Sequence, residues 1–221
     1  MQLQKFRKTY GLELIPASLA EIRLGDLVWK PLWGKPKLEH KGMPNRILNA
    51  FYDANLLDID THDRGLKRFR NQKQYPVQLS EQSIKTNTNQ AIAYSSYGVE
   101  RLSQNFEFNK IKHYAFENIQ VRLLSNELRI YLDENIEKLR KQNWKAYQGN
   151  INRVYMITEL YYGDLEIQID SGLKKEFMAA LRQTDLELKS TIDFQKTSRY
   201  TFTNEHIPFA MRLERVKRFN G

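Results

Sequence analysis

The chain has 221 residues, a net charge of +9 and no cysteine, with 41% apolar and 28% charged residues. The absence of cysteine excludes disulfides, cysteine-based zinc sites and thiol nucleophiles, and no run of about 18 apolar residues is present to form a spanning helix. The basic balance favours an acidic partner, either nucleic acid or an anionic membrane surface. The first residues do not resemble a signal peptide, so we expect a cytoplasmic chain.

The amino terminus combines basic and apolar side chains. Lys5, Arg7 and Lys8 lie beside apolar residues at helical spacing, which predicts a short basic amphipathic helix that ends at Gly11. Such a helix can lie on an anionic membrane surface. Short strands are predicted at 12–19 and 22–29.

The middle of the chain changes pattern several times. A helix is predicted at 44–54, and the polar, basic residues 58–74 are interpreted as a surface loop. Extended stretches follow at 84–94 and 106–116. A longer helix is predicted at 126–142, where leucine and isoleucine recur every three to four residues.

The carboxy-terminal third is mostly strand. A run at 154–159 is apolar on both parities, which is typical of a central strand. Alternating strands at 165–170 and 186–195 flank a short helix at 173–181, and two more strands follow. The pattern predicts the α+β class, as a single domain spanning 1–221 with a large, twisted, mainly antiparallel sheet and a few peripheral helices.

Motifs for catalysis are missing from the sequence. His40, His62, His113 and His206 lie in unrelated segments and form no His-Glu-x-x-His motif or other fixed spacing that builds a catalytic group. The glycines form no phosphate-binding loop and no nucleophile elbow. We therefore expect a protein that is not an enzyme and that uses no cofactor and no metal.

One acidic cluster provides the only reason to consider a hydrolase. Asp58, Asp60 and His62 lie within five residues, but the positions that an EF-hand reserves for glycine and glutamate hold Asp63 and Phe69. A solvated acidic turn at a helix end is the favoured interpretation, and a divalent ion held by the Asp-x-Asp pair is the alternative.

A basic segment follows this cluster. Arg64, Lys67, Arg68 and Arg70 would attract phosphates on nucleic acid or on lipid headgroups, and an ordinary charged loop is the alternative. No helix-turn-helix, single-stranded-RNA or zinc motif accompanies them.

The alternating strands around 173–181 have two interpretations. A membrane-spanning β-strand needs about 9–11 residues with apolar side chains towards lipid. A half-buried sheet outside a membrane gives the same alternation. The candidate membrane-inserting residues are Leu165, Ile167, Ile169, Leu186, Leu188, Ile192 and Phe194.

Several segments together resemble the gasdermin pore-forming domain. The basic start followed by Gly-Leu-Glu-Leu-Ile-Pro-Ala-Ser-Leu at 11–19 is similar to the opening of that family. The segments 114–121, 154–159 and 207–213 look like its mid-domain, Tyr-Val-Val-Thr-Glu and terminal strands, and the strand, helix, strand order at 164–195 looks like its second hairpin.

The resemblance implies a cell-death effector that binds acidic phospholipid, oligomerises and inserts two hairpins per subunit into a large membrane β-barrel. It would move from the cytoplasm to the inner face of the cell membrane, with Lys5, Arg7 and Lys8 contacting lipid. The inserting hairpins would be roughly 77–123 and 164–195. In the first hairpin, Lys110 and Lys112 share the parity of aromatic residues, and lysines that face lipid near the bilayer centre are costly. Three explanations are open: the register shifts there, the lysines lie near the membrane interface, or this hairpin does not insert.

Members of that family are held inactive by a carboxy-terminal segment, whereas this sequence ends shortly after its last predicted strand. Control by a separate inhibitory or activating protein is one expectation, and a gasdermin-like fold without pore activity is another. The contrasting hypothesis is a soluble binding module whose basic segment at 64–73 engages nucleic acid or a protein.

Overall fold

The computed structural model describes residues 10–15, 22–29, 75–76, 84–86, 102, 105–124, 130, 134, 154–184, 186–203 and 208–215. Within these ranges lie strands β1 (Glu13–Leu14), β2 (Leu27–Trp29), β3 (Tyr75–Pro76), β4 (Ile84–Thr86), β5 (Ile111–Leu123), β6 (Val154–Asp170), β7 (Glu187–Asp193), β8 (Thr197–Thr203) and β9 (Ala210–Arg215), and helix α1 (Lys174–Leu181). Short 3-10 turns at Phe108–Lys110 and Ser171–Leu173 precede β5 and α1. The described residues thus belong to the α+β class.

The chain divides into two compact units. Unit 1 comprises Met1–Ala20, Tyr75–Val121 and Tyr161–Met211, and unit 2 comprises Glu21–Gln74, Arg122–Leu160 and Arg212–Gly221.

Unit 1 is built on antiparallel pairings. Its part of β6 lies between β5 and β8, and β7 pairs with β8. Ile167 of β6 is directly opposite Tyr200 of β8, and Tyr200 is directly opposite Thr191 of β7. Side chains that are directly opposite point to the same side of a sheet, so this register assigns each side chain of β6, β7 and β8 to a face.

The core of unit 1 lies under α1. Phe177, Ala180 and Leu181 are buried at the i, i+3, i+4 spacing that places side chains on one helix face. The Phe177 ring meets the rings of Phe106 and Tyr200, with centroids at 5.1 and 4.6 Å. The short α1 is therefore held by this packing, because an isolated helix of this length is unstable in water.

Unit 2 joins β2 to the beginning of β6. Leu27 is directly opposite Met156, and the peptide N–H of Gly25 donates to the Ile157 carbonyl at 2.8 Å. Gly25 has a φ of +80°, which a residue without a Cβ adopts without strain. The Asp26 carboxylate in this turn is fully buried and accepts the Arg23 N–H at 2.8 Å.

Most of the predicted elements in the described ranges are confirmed. The strand, helix, strand order of the last third is present as β6, α1 and β7. Met156, Ile157 and Thr158 are fully buried, as the prediction of a central strand requires. Gly11 has a φ of +66°, a left-handed conformation that agrees with the predicted end of a helix at that residue.

Two element predictions are wrong. The extended stretch at 106–116 begins only at Ile111, because Phe108–Lys110 forms a 3-10 turn. The strand predicted at 22–29 is confined to Leu27–Trp29, since the Gly25 turn occupies the preceding residues. The predicted helix at 44–54 and the loop at 58–74 lie outside the described residues.

Candidate functional site

The carboxy-terminal half of β6 separates apolar from polar side chains. Leu165, Ile167 and Ile169 are buried on the side of the sheet that also carries Tyr200 and Phe202, here called the α1 face. The opposite side, here called the polar face, carries Asp164, Glu166, Gln168 and Asp170 of β6 and Thr197, Arg199, Thr201 and Thr203 of β8. The alternation thus divides the strand into a core side and a charged side.

Strand β7 is exposed along its whole length. All seven of its residues are exposed, and Ile192 retains 47% of its accessible surface. Within the described residues it pairs with β8 on one edge. An exposed strand edge carries unpaired backbone groups and is a place where pairing can change.

A β-bulge at Lys189 divides the apolar side chains of β7. Leu188 is opposite Phe202, whereas Ser190 is opposite Thr201, so Lys189 is an extra residue in β7. Leu188 consequently lies on the α1 face. Ile192 is opposite Arg199 and lies on the polar face.

Lys189 ends at a buried carboxylate. Its Nζ donates to Asp164 Oδ2 at 2.7 Å, and Asn118 Nδ2 of β5 donates to the same oxygen at 2.7 Å. Asn118 has a φ of +49°, and Lys189 is the extra residue of the bulge. Both donors therefore come from irregular points in their strands. The Asp164 side chain is 6% exposed, and the two donors satisfy a group that would be costly to bury unpaired.

Gly163 precedes Asp164 at a close approach of β5 and β6. A Cβ built on Gly163 would lie 2.9 Å from the Glu117 carbonyl oxygen, which is shorter than a van der Waals contact. Glycine is therefore required where the two backbones meet beside Asn118.

Ionic contacts hold α1 to its surroundings. Lys174 Nζ donates to Asp193 Oδ2 at 2.5 Å, and Ser198 Oγ donates to Asp193 Oδ1 at 2.7 Å. These hydrogen bonds lower the pKa of Asp193, and the bond to Asp193 raises the pKa of Lys174. Lys110 Nζ donates to Glu176 at 2.7 Å, which raises the pKa of Lys110.

A second buried carboxylate lies on the polar face. Glu166 is 3% exposed, with Arg199 Nε at 3.4 Å and His113 Nε2 at 3.7 Å from its Oε1. The guanidinium of Arg199 also lies 5.4 Å from the centroid of the Phe194 ring, which places Phe194 on the same side as Ile192.

The predicted site residues fall into two groups. The basic residues Lys5, Arg7, Lys8, Arg64, Lys67, Arg68 and Arg70 lie outside the described residues. Of the apolar candidates, Leu165, Ile167 and Ile169 lie in the core, Leu188, Ile192 and Phe194 are exposed, and Leu186 is half-buried.

The two lysines in the first candidate hairpin have ionic partners. Lys110 lies in the 3-10 turn and binds Glu176, and Lys112 is half-exposed and binds Asp170. Burial changes parity here, because Lys112 is exposed whereas Tyr114 is buried. Both lysines are therefore paired with carboxylates here, and the lipid-facing parity of the hairpin stays a prediction.

The described part of the chain holds no group of three or more histidine and acidic side chains placed to bind a metal ion. None of its helices has the length and apolar character needed to cross a membrane. No family model matches the chain, and no curated protein matches it.

Proposed function

We propose that this protein is a membrane-permeabilising effector that acts without a cofactor and without covalent chemistry. It binds acidic phospholipids, oligomerises, and inserts β-hairpins as a large barrel at the inner face of the cell membrane, as its resemblance to the gasdermins implies. A separate inhibitory or activating protein is expected to control it.

The observation that carries the proposal is the segment β6–α1–β7. It contains two strands whose sequences alternate apolar and polar residues, and α1 covers the apolar side chains of β6 whereas those of β7 are exposed. Within the described residues the backbone of β7 pairs with β8 alone, and the Lys189 side chain bonds to Asp164 of β6, so β7 can separate without breaking the pairing of β6 with β5.

Insertion of this segment as a hairpin requires a rearrangement. Strand β8 lies between β6 and β7, so the two strands cannot pair directly until β8 leaves its place. Helix α1 must also release Phe177 from the core, because a spanning hairpin needs about 9–11 extended residues in each strand. Closure into a barrel would satisfy every backbone polar group in lipid without a long apolar run.

Dye release from liposomes tests the proposal. The purified chain is expected to release dye from vesicles that contain anionic lipid and not from purely zwitterionic vesicles. Reversal of charge at Lys5, Arg7 and Lys8 to glutamate should abolish both binding and release. The 64–68 variant reverses Arg64, Lys67 and Arg68 to glutamate, which alters the same number of charges in the second predicted basic segment and distinguishes this function from the binding module described next. The absence of release by the folded, unmodified chain with and without brief proteolysis would refute pore formation by the chain alone.

A second candidate function is a basic binding module, favoured by the net charge of +9 and the run of basic residues at 64–73. In that case the 64–68 variant, and not the amino-terminal variant, loses its partner, and the chain does not bind liposomes. A nucleic-acid partner would show a steep dependence of affinity on salt concentration.

A further inference from the structure

The apolar side chains of β7 are divided between two faces by a single extra residue. Counted along the sequence, Leu186, Leu188, Ile192 and Phe194 share one parity. In the structure Leu188 lies on the α1 face and Ile192 on the polar face, because Lys189 is inserted between them. A bulge-free β7 would carry all of them on one face.

The turn between β7 and β8 fixes one side of the bulge. The Phe194 N–H donates to the Thr197 carbonyl at 2.8 Å and closes a two-residue connection, which sets the register of residues 190–194. The bulge can therefore disappear only by movement of residues 186–189. Leu188 would then be opposite Thr203, and Lys189 would be opposite Phe202.

The side chains around the bulge oppose that movement. The Lys189 ammonium bonds to the buried Asp164 carboxylate at 2.7 Å, and the shift would carry it to the α1 face, away from Asp164. Leu188 would at the same time leave the side that carries Phe202. The charged hydrogen bond stabilises the bulged form, and Leu188 shares a face with Phe202 only in that form.

We propose that the bulge at Lys189 is a register switch, in which the Lys189–Asp164 contact keeps the apolar side chains of β7 on two faces and its release unites them on one. The proposal rests on the proposed function, because a single apolar face is what a strand needs to face lipid. The contact thus keeps β7 unsuited to a bilayer until the strand shifts by one residue.

Engineered thiols report the register without any membrane, because the chain has no cysteine of its own. The pair Glu187→Cys and Thr203→Cys is directly opposite in the bulged form and should form a disulfide under mild oxidation. The pair Leu188→Cys and Thr203→Cys is directly opposite only in the bulge-free form. The control pair Ser190→Cys and Thr201→Cys is opposite in both forms and should always react.

Loss of the contact should change which pair reacts. In a Lys189→Met background we expect the Leu188/Thr203 pair to form its disulfide about tenfold more readily, as loss of a charged hydrogen bond implies. Asp164→Asn should act in the same direction and provides a second route if the first variant does not fold. Lys175→Met, at an exposed position of α1, should leave both pairs unchanged. An unchanged Leu188/Thr203 yield in both folded variants, with the control pair reactive, would overturn the proposal.

Deletion of Lys189 tests the functional consequence. It preserves every pairing of β7 with β8 seen in the structure, but it leaves Leu188 and Ile192 three positions apart and therefore always on opposite faces. We expect a folded variant that no longer releases dye, whereas release equal to that of the unmodified chain would contradict the switch. If the unmodified chain itself releases no dye, the proposed function fails, and the thiol result still decides whether the register moves.

Discussion

Lys174 Nζ lies 2.5 Å from Asp193 Oδ2, so the first residue of α1 is bound to the last residue of β7. Ser198 of the neighbouring strand donates to the other oxygen of the same carboxylate. The contact therefore connects the beginning of α1 to the end of β7, four residues beyond the Lys189 bulge.

This ion pair gives stability a defined dependence on pH. The hydrogen bonds from Lys174 and Ser198 lower the pKa of Asp193 from 3.8. The contribution of Asp193 to the free energy of unfolding is therefore complete above pH 3.8 and is lost as pH falls through the lowered pKa. The hydrogen bond to Asp193 raises the pKa of Lys174 from 10.5. The contribution of Lys174 to the free energy of unfolding is therefore complete below pH 10.5 and is lost as pH rises through the raised pKa. Asp193→Asn should therefore flatten the acid limb of a plot of Tm against pH.

Glu187→Gln, at the other end of β7, is the control for that measurement. It removes one exposed carboxylate from the same strand but leaves the Lys174 contact intact. An acid limb that both substitutions change equally would show that Asp193 has no special role.

Phe177 anchors α1 to the sheet. Phe177→Ala should lower the free energy of unfolding by about 3–5 kcal/mol, because the side chain is fully buried against Phe106 and Tyr200. Ala179→Gly at an exposed position of the same helix should cost about 1 kcal/mol through helix propensity. Urea denaturation measures both, and equal effects would mean that α1 contributes little packing.

Two glycines should respond in opposite directions to alanine. Gly163→Ala should destabilise by about 1–3 kcal/mol, because its Cβ would lie 2.9 Å from the Glu117 carbonyl oxygen. Gly172→Ala has no atom within 4 Å of the new Cβ and should stabilise by about 0.4–1 kcal/mol through the unfolded chain. Thermal unfolding of the two variants checks the contrast, and a tolerated Gly163→Ala would mean that the strands separate easily there.

A charge on the exposed strand should separate folding from membrane activity. Ile192→Lys is expected to change the free energy of unfolding by no more than about 0.5 kcal/mol, since Ile192 is 47% exposed. Under the proposed function it should abolish dye release, because a lysine facing lipid near the bilayer centre costs about 2–4 kcal/mol. Thr191→Lys, at the neighbouring exposed residue of opposite parity, should retain release. Equal loss in both variants would argue against a lipid-facing parity.

The last third of the chain was predictable because its patterns are local. The alternation of Leu165, Ile167 and Ile169 with polar residues predicted a strand with one apolar face, and the structure buries that face under α1. The helix predicted at 173–181 begins one residue later, after a 3-10 turn.

The departures arise where a single residue interrupts a pattern. Counting every second residue places Leu188 and Ile192 on one face. It does not anticipate a bulge, and the extra residue at Lys189 moves the two side chains to opposite faces. The hydrogen bonds that join Lys189 and Asn118 to Asp164 connect residues 25 and 46 positions apart, and neither spacing carries a sequence signal. Phe106 shares the parity of Tyr114, which predicts a strand, but its N–H donates to the Leu102 carbonyl at 2.9 Å and its ring packs on Phe177.

The exposure of β7 also bears on how the purified protein behaves at high concentration. Suppose that the β7 strands of two copies pair antiparallel, with Leu188 of one copy opposite Ile192 of the other. Glu187 of each copy would then be opposite Asp193 of the other, so two pairs of like charges would face each other. Acidic residues at both ends of the strand thereby discourage edge-to-edge aggregation. Concentrated samples should therefore remain dispersed at neutral pH and begin to aggregate when acid neutralises these carboxylates.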